Sequence, residues 1–192
     1  MGYTTDFEGK LEITPPLNET EVKYIKKFND TRRMERGNGP YYVGGGGFAG
    51  QDHEPDIINF NRPDPTQPTL WCQWTVSDDG TKLMWDGGEK AYYMAEFLDY
   101  IIAHFLGKEP IAKEVNEHFH FLQGHTISGI IMARGEDMGD FWQIGVIDNV
   151  VYTSDVIGKS EPDWKAVNWA KENMPKHSQK LIAVDPIEGE VI

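Results

Sequence analysis

Cysteine is almost missing: Cys72 is the one example in 192 residues. An intramolecular disulfide and a cysteine-rich zinc site are therefore both excluded, and a reducing, cytoplasmic localisation is expected. Positive charge is also scarce, with 18 basic residues against 31 acidic ones and a formal net charge of −13. Such a balance argues against general nucleic-acid binding and against anionic membrane surfaces, while leaving basic protein partners open. No apolar run reaches membrane-spanning length, and the first residues lack a basic region followed by an apolar one. A soluble chain, not secreted by the usual signal route, is the expectation. Asp6 stands where the myristoylation pattern wants Ser or Thr. Gly-x-Ser-x-Gly and the Lys-Ser/Thr of a phosphate loop are absent, so no nucleophile motif and no cofactor are expected. With no repeat and no sharp boundary, residues 1–192 read as a single globular domain.

What is present centres on residues 70–106. Residues 70–76 are rich in aromatic and β-branched types, and Ser77-Asp78-Asp79-Gly80 supplies a turn before Leu83-Met84-Trp85, which together read as a hairpin. After Asp86-Gly87-Gly88 come Met94, Phe97, Leu98, Ile101, Ile102 and Phe105 at spacings of three and four, the stripe of a buried helix over 89–106. Asp86 is expected as its cap, with Glu89 as the capping-box partner and Gly107 closing the helix. Trp71, Trp74 and Trp85 fit core packing, and the competing use is an aromatic pocket for a base or sugar.

In chain order, Phe7, Leu11 and Ile13 alternate with polar residues as in a half-buried strand that ends at Pro15-Pro16. Asn18 and Glu21 then form a capping box, with Leu17 and Val22 as its staple, for a helix over 19–35. Six basic residues, Lys23, Lys26, Lys27, Arg32, Arg33 and Arg36, crowd that segment. They complement the macrodipole and surplus carboxylates, or they form an anion-binding face. Residues 37–69 read as a long Gly/Pro-rich loop region, with a short strand at Tyr41-Tyr42-Val43 leading into Gly44-Gly45-Gly46-Gly47. Consecutive glycines can converge their N–H groups on an anion, but without the other marks of a phosphate loop a flexible turn explains them better. Asp52, His53, Glu54 and Asp56 offer a general base beside carboxylates, or plain Asx turns.

Further on, His118 and His120 would share one strand face and are the metal candidates, set against a wet histidine face over buried Phe119 and Phe121. A three-stranded antiparallel meander follows, from Thr126, from Phe141 and from Val150, with Asp148-Asn149 as the second turn. Ser160 and Pro162 start a C-terminal helix bearing Trp164, Val167 and Met174 that Pro175 ends, and residues 176–192 are a loose tail or carry an edge strand at 181–184. The fold class is therefore α+β: a mainly antiparallel sheet packed by two principal helices, with a C-terminal helix.

Five strings, Tyr3-Thr4-Thr5-Asp6-Phe7-Glu8-Gly9, Thr31-Arg32-Arg33-Met34, Gly44-Gly45-Gly46-Gly47-Phe48-Ala49-Gly50-Gln51-Asp52, Leu70-Trp71-Cys72-Gln73-Trp74 and Trp85-Asp86-Gly87-Gly88-Glu89-Lys90, resemble a family of small uncharacterised proteins of bacteria and their phages. The likeness covers the first half, with a weaker echo at Asp148-Asn149-Val150-Val151, and it carries no catalytic residues. It implies, by analogy, a non-catalytic binding protein of phage or mobile-element type. One version blocks a basic host protein through an acidic face. The other sequesters a small anionic, nucleotide-like ligand with Arg32, Arg33, Gly45, Gly46, Gln51, Asp52, Trp71 and Trp74. The alternative is a small hydrolase or transferase using Asp52 and His53. A homo-oligomer is compatible with each.

Overall fold

The computed structural model describes residues 2–156 and 163–174. Strands β1 (Thr5–Gly9) and β2 (Leu11–Thr14) open the chain, and Phe7, Leu11 and Ile13 are buried as their alternation requires. Helix α1 (Glu19–Asp30) begins at the expected capping box: Asn18 Oδ1 accepts from the Glu21 N–H at 2.9 Å, and a Glu21 carboxylate oxygen accepts from the Asn18 N–H at 2.8 Å. It ends at Asp30, short of Glu35, because Met34–Arg36 is strand β3, paired with β4 (Ile57–Pro63). The 37–69 region thus carries a strand of its own, and Tyr41-Tyr42-Val43, though buried, is not one.

The tryptophan hairpin is shorter than its sequence pattern, with β5 (Trp74–Val76) pairing β6 (Lys82–Trp85). Gln73 sits at φ +56° and turns its amide onto the Glu89 carbonyl at 2.9 Å, which breaks the strand before Trp74. Helix α2 (Met94–Ile101) also starts late. Asp86 spends its carboxylate on the Gly88 N–H, at 2.7 Å, so it caps a local turn, and Lys90 and Tyr93 both take positive φ before the helix begins. The helix passes directly into a π-helical turn, Ile102–Leu106, and Gly107 follows in extended backbone instead of a left-handed cap.

After α3 (Ile111–Val115), residues Glu117–Phe119 form a 3₁₀ turn instead of a strand. The meander then appears as β7 (Thr126–Gly135), β8 (Phe141–Ile147) and β9 (Val150–Asp155). Asp148 and Asn149, at φ +48° and +73°, close β8 onto β9, and the Asn149 side chain accepts from Ile127 N at 2.7 Å, tying the turn to β7. Strand β10 (Lys165–Ala166) adds to β9 where helix was expected from Ser160 onward, and the C-terminal helix α4 (Trp169–Glu172) follows. Ala170 N–H donates to Asp99 Oδ2 at 3.0 Å, which docks α4 on α2. Ser160, Pro162, Pro175 and residues 176–192 lie outside the described residues.

One antiparallel sheet organises these strands in the order β10-β9-β8-β7-β2-β6-β5. Strand β1 extends β2 along β7 without a change of register, since Gly9 faces Ile131 and Glu12 faces Ser128. Helices α1 and α2 cover one face, where Trp74, Leu83, Phe97, Leu98, Ile127 and Ile144 are fully buried. Each such side chain contributes about 1.5–3 kcal/mol by leaving water. The fold is α+β, as the residue pattern indicated. Among the described residues no helix is long and apolar enough to cross a membrane.

Candidate functional site

The small β3–β4 sheet presents the glycine loop on the flank of α1. Arg36, 5% exposed, holds the loop from beneath: its guanidinium donates to Asp56 at 2.9 and 3.1 Å, to Glu54 at 3.4 Å and to the Gly50 carbonyl. Glu54 in turn accepts from the Gly46 N–H at 2.7 Å, and the Asp52 carboxylate lies against Gly46 and Gly47. A Cβ at Gly47, which has φ +70°, would collide with that carboxylate, so glycine is required there. The Gly46 amide, one of those that could have cradled a phosphate, therefore already faces a carboxylate of the same chain.

Several of the residues named from sequence are likewise committed. Trp74 is 0% exposed and donates from Nε1 to the Met94 carbonyl at 2.9 Å, which makes it a core residue. Arg33 is buried, stacks its guanidinium 4.3 Å from the Phe28 ring centroid and donates to the carbonyls of Thr31 and Tyr42, both at 2.9 Å. Burial draws its pKa down to about 10, which leaves it charged at neutral pH but without a free face. Arg32 reaches Gln51 Oε1 at 3.2 Å behind the loop. Gly45, at φ +109°, packs on Gly50 and shapes the turn.

Asp52 and His53 are neighbours in sequence but not partners. The Asp52 carboxylate faces the glycines, while the exposed His53 ring stacks on Phe60 at 5.9 Å and 11°. His118 and His120 lie in and after the 3₁₀ turn, where residues two apart diverge, so the shared strand face is not formed. Among the described residues no group of three His, Cys, Asp or Glu side chains is placed to hold a metal. Cys72 is 1% exposed, and burial pushes its thiol up to about 12, far from a nucleophile.

Trp71, from the sequence-based set, opens onto a cavity. It lines a cleft of about 630 Å³ between the end of α1, the turn at Phe48 and the Asp86-Gly87-Gly88-Glu89 segment. That size is within the roughly 300–1,000 Å³ of ligand sites. Asp30, Asp86 and Glu89 line it together with Phe48, which is 82% exposed. No lysine or arginine belongs to its lining, and none of the three carboxylates forms an ion pair among the described residues. Two other hollows differ in this respect. Lys165 stands in the one of about 270 Å³ beside Trp142, and Lys108 in the one of about 530 Å³ beside Asp148.

Sequence reasoning missed Asn29, Asp30, Phe48, Asp86 and Glu89 as site residues. The visible signal was Phe48, a large aromatic between glycines, where a core role is geometrically hard to reach. Comparison with protein-family models, with curated proteins and with solved structures finds no match.

Proposed function

We propose that the protein is a non-catalytic binding protein of phage or mobile-element type that engages a basic host protein through the cleft at Trp71 and blocks it. The observation that carries this reading is the pairing of Asp30, Asp86 and Glu89, all without ion pairs among the described residues, with the accessible aromatics Trp71 and Phe48. Carboxylates attract cations over a distance set by salt, and aromatic faces add attraction to a desolvated cation. The small anionic ligand has less to hold it. Arg33 is stacked and hydrogen-bonded inside the core, and the Gly46 N–H faces Glu54. Nothing in the placement of Asp52 and His53 favours the hydrolase or transferase reading.

The test is tryptophan fluorescence titration with oligolysine and with oligoglutamate of equal length, in low and high salt, using wild type and Asp86→Lys. Oligolysine should bind, weaken with salt and weaken again in the variant. Equal or tighter binding of oligoglutamate, or of inorganic pyrophosphate, would overturn the reading in favour of an anionic ligand.

A further inference from the structure

We infer that the solvent-facing side of strands β7, β8 and β9 is the surface through which two copies of this chain pair, sheet on sheet. In an antiparallel sheet covered by helices on one face, every second residue faces water and is ordinarily polar. Ile127, Ile131, Ala133, Ile144, Val146 and Val151 take the helix side and are buried. On the other side stand Ile130, Met132, Phe141, Ile147 and Val150, whose exposure runs from 41% to 63%. Register joins them into one patch, since Ile147 faces Val150, Ile130 faces Gly145 and Met132 faces Gln143 on neighbouring strands. The Trp164 ring lies over Gly145, where an added Cβ would meet it at 2.8 Å, and is itself 36% exposed. One apolar cover from the chain is thus in place, and among the described residues the face around it stays open.

Charge decides the occupant. Thr126 to Ala133, Phe141 to Ile147 and Val150 to Ser154 contain no acidic or basic residue, in a chain of net charge −13. The same side of the sheet changes character on β1 and β2, where Glu8 stands opposite Met132 and Glu12 opposite Ser128, and where Asp6 pairs with Arg134 and Glu12 with Lys82. A basic protein finds no carboxylate on the uncharged half, and an anionic membrane is repelled by the chain as a whole. A second copy brings the same flat apolar surface, and two acidic chains meet at least cost where neither presents a charge. A two-fold axis along β8 sets β7 of one copy over β9 of the other. Glu8 and Glu12 then lie over the other copy's β10 edge, away from their own counterparts. Stacked sheets pack in this way about 10 Å apart and about 30° askew. The length of β8, Phe141–Ile147, across three strands gives a face of roughly 300 Å² in outline. That is well below the roughly 800 Å² that each partner of a standard interface buries, so the dimer is weak and concentration-dependent.

The experiment is sedimentation velocity of the full chain over a wide range of concentration, in low and high salt. It compares wild type with Ile130→Glu and Ile147→Glu, and with Ile58→Glu as a control at an isoleucine 64% exposed on β4. Wild type should pass from monomer to dimer as concentration rises, and more readily in high salt, because screening relieves the repulsion between acidic copies while apolar contact persists. Ile130→Glu and Ile147→Glu should each raise the dissociation constant about tenfold or more, with an unchanged circular dichroism spectrum because both positions are exposed. Ile58→Glu should leave the dimer as it is. A wild-type chain that stays monomeric would overturn the inference, and so would a dimer that weakens with salt or is indifferent to the two β7–β8 variants. Binding of neutral phosphatidylcholine vesicles by a chain that remains monomeric, lost in the same two variants, would overturn it in favour of a lipid surface. No residue of β7, β8 or β9 lines the cleft at Trp71, so this experiment and the oligolysine titration succeed or fail separately.

Discussion

The aromatic side chains around Phe105 and those around Trp71 are drawn from the same residue types but meet opposite conditions. In the first group Tyr24, Phe28, Tyr41, Tyr100, Phe105 and Phe119 contact one another edge-on or stacked, at centroid separations such as 5.0 Å for Phe28–Phe105. Tyrosine hydroxyls in this group find partners inside: Tyr24 OH donates to the Tyr41 carbonyl at 2.9 Å, and Gln67 reaches Tyr100 OH at 3.2 Å. In the second group Phe48 faces water, three carboxylates lack a counter-ion among the described residues, and Asn29 Oδ1 lacks a donor. Aromatic content alone therefore does not separate a core from a binding site. Access to water beside the rings does: Phe48 stands in solvent among three carboxylates, whereas the Phe105 cluster is closed to water even at His104 Nε2, whose ring stacks on Tyr100 and which lacks a partner among the described residues.

The contrast can be broken most forcefully at Phe105. Phe105→Ala removes a fully buried ring from the centre of the first cluster and should cost about 3–5 kcal/mol in urea unfolding. A loss below about 1 kcal/mol, the scale of a surface change, would mean that this cluster is not the core it looks like.

Next in size is the buried pair that anchors α1. Glu21 and His125 have fully buried side chains 3.0 Å apart, and His125 Nδ1 faces the Pro15 carbonyl at 2.7 Å, so both ring nitrogens meet acceptors and both carry protons. Burial alone would lower the histidine pKa, but the Glu21 and Pro15 hydrogen bonds outweigh it and hold it above 6.5. Burial likewise pushes Glu21 upward, and the bonds from His125, Gln123 and Asn18 more than offset that and hold it below 4.5. The histidine contribution is complete below 6.5 and is lost as pH rises through its raised value. The glutamate contribution is present above 4.5 and is lost as pH falls through its lowered value. Glu21→Gln should therefore cost most between those limits, by about 1.5–3 kcal/mol, with the gap to wild type narrowing at alkaline pH. Urea midpoints taken from about pH 4 to about pH 9 check this, and a pH-independent gap would show that His125 is not charged.

Smaller effects sharpen the other side of the comparison. Phe48→Ser should change stability by no more than about 0.5 kcal/mol while weakening oligolysine binding, a separation that no core residue would give. The double change Asp52→Ala with His53→Ala should leave oligolysine affinity within about twofold, well under the 1.4 kcal/mol of a tenfold change. A large loss in calorimetry would bring the Asp-His loop back into the site.

Helix α1 was legible because its capping signal is local: Asn18 and Glu21 satisfy each other's backbone whatever surrounds them. The meander was legible for the same reason, with period-two alternation and the Asp148-Asn149 turn both written within a few residues. Misplaced starts and ends share a different cause. Asp86 looked like a helix cap, yet its carboxylate went to Gly88 and Asn29, partners set by a turn and by a distant helix. His118 and His120 looked like a strand pair, yet a 3₁₀ turn divides their directions.

By itself, then, the sequence determined what depends on neighbours along the chain: one cysteine and hence no disulfide, an acidic balance, the buried stripe of 94–105, the cap of α1 and the antiparallel class of the sheet. Tertiary structure alone decided which tryptophan is core and which lines a cleft, since Trp71 and Trp74 differ only in what the rest of the chain folds against them. It also decided that Asn29 and Asp30 share one surface with Asp86 and Glu89, more than fifty residues further along the chain. Burial and hydrogen-bond satisfaction are properties of the assembled packing, and no local spacing encodes them.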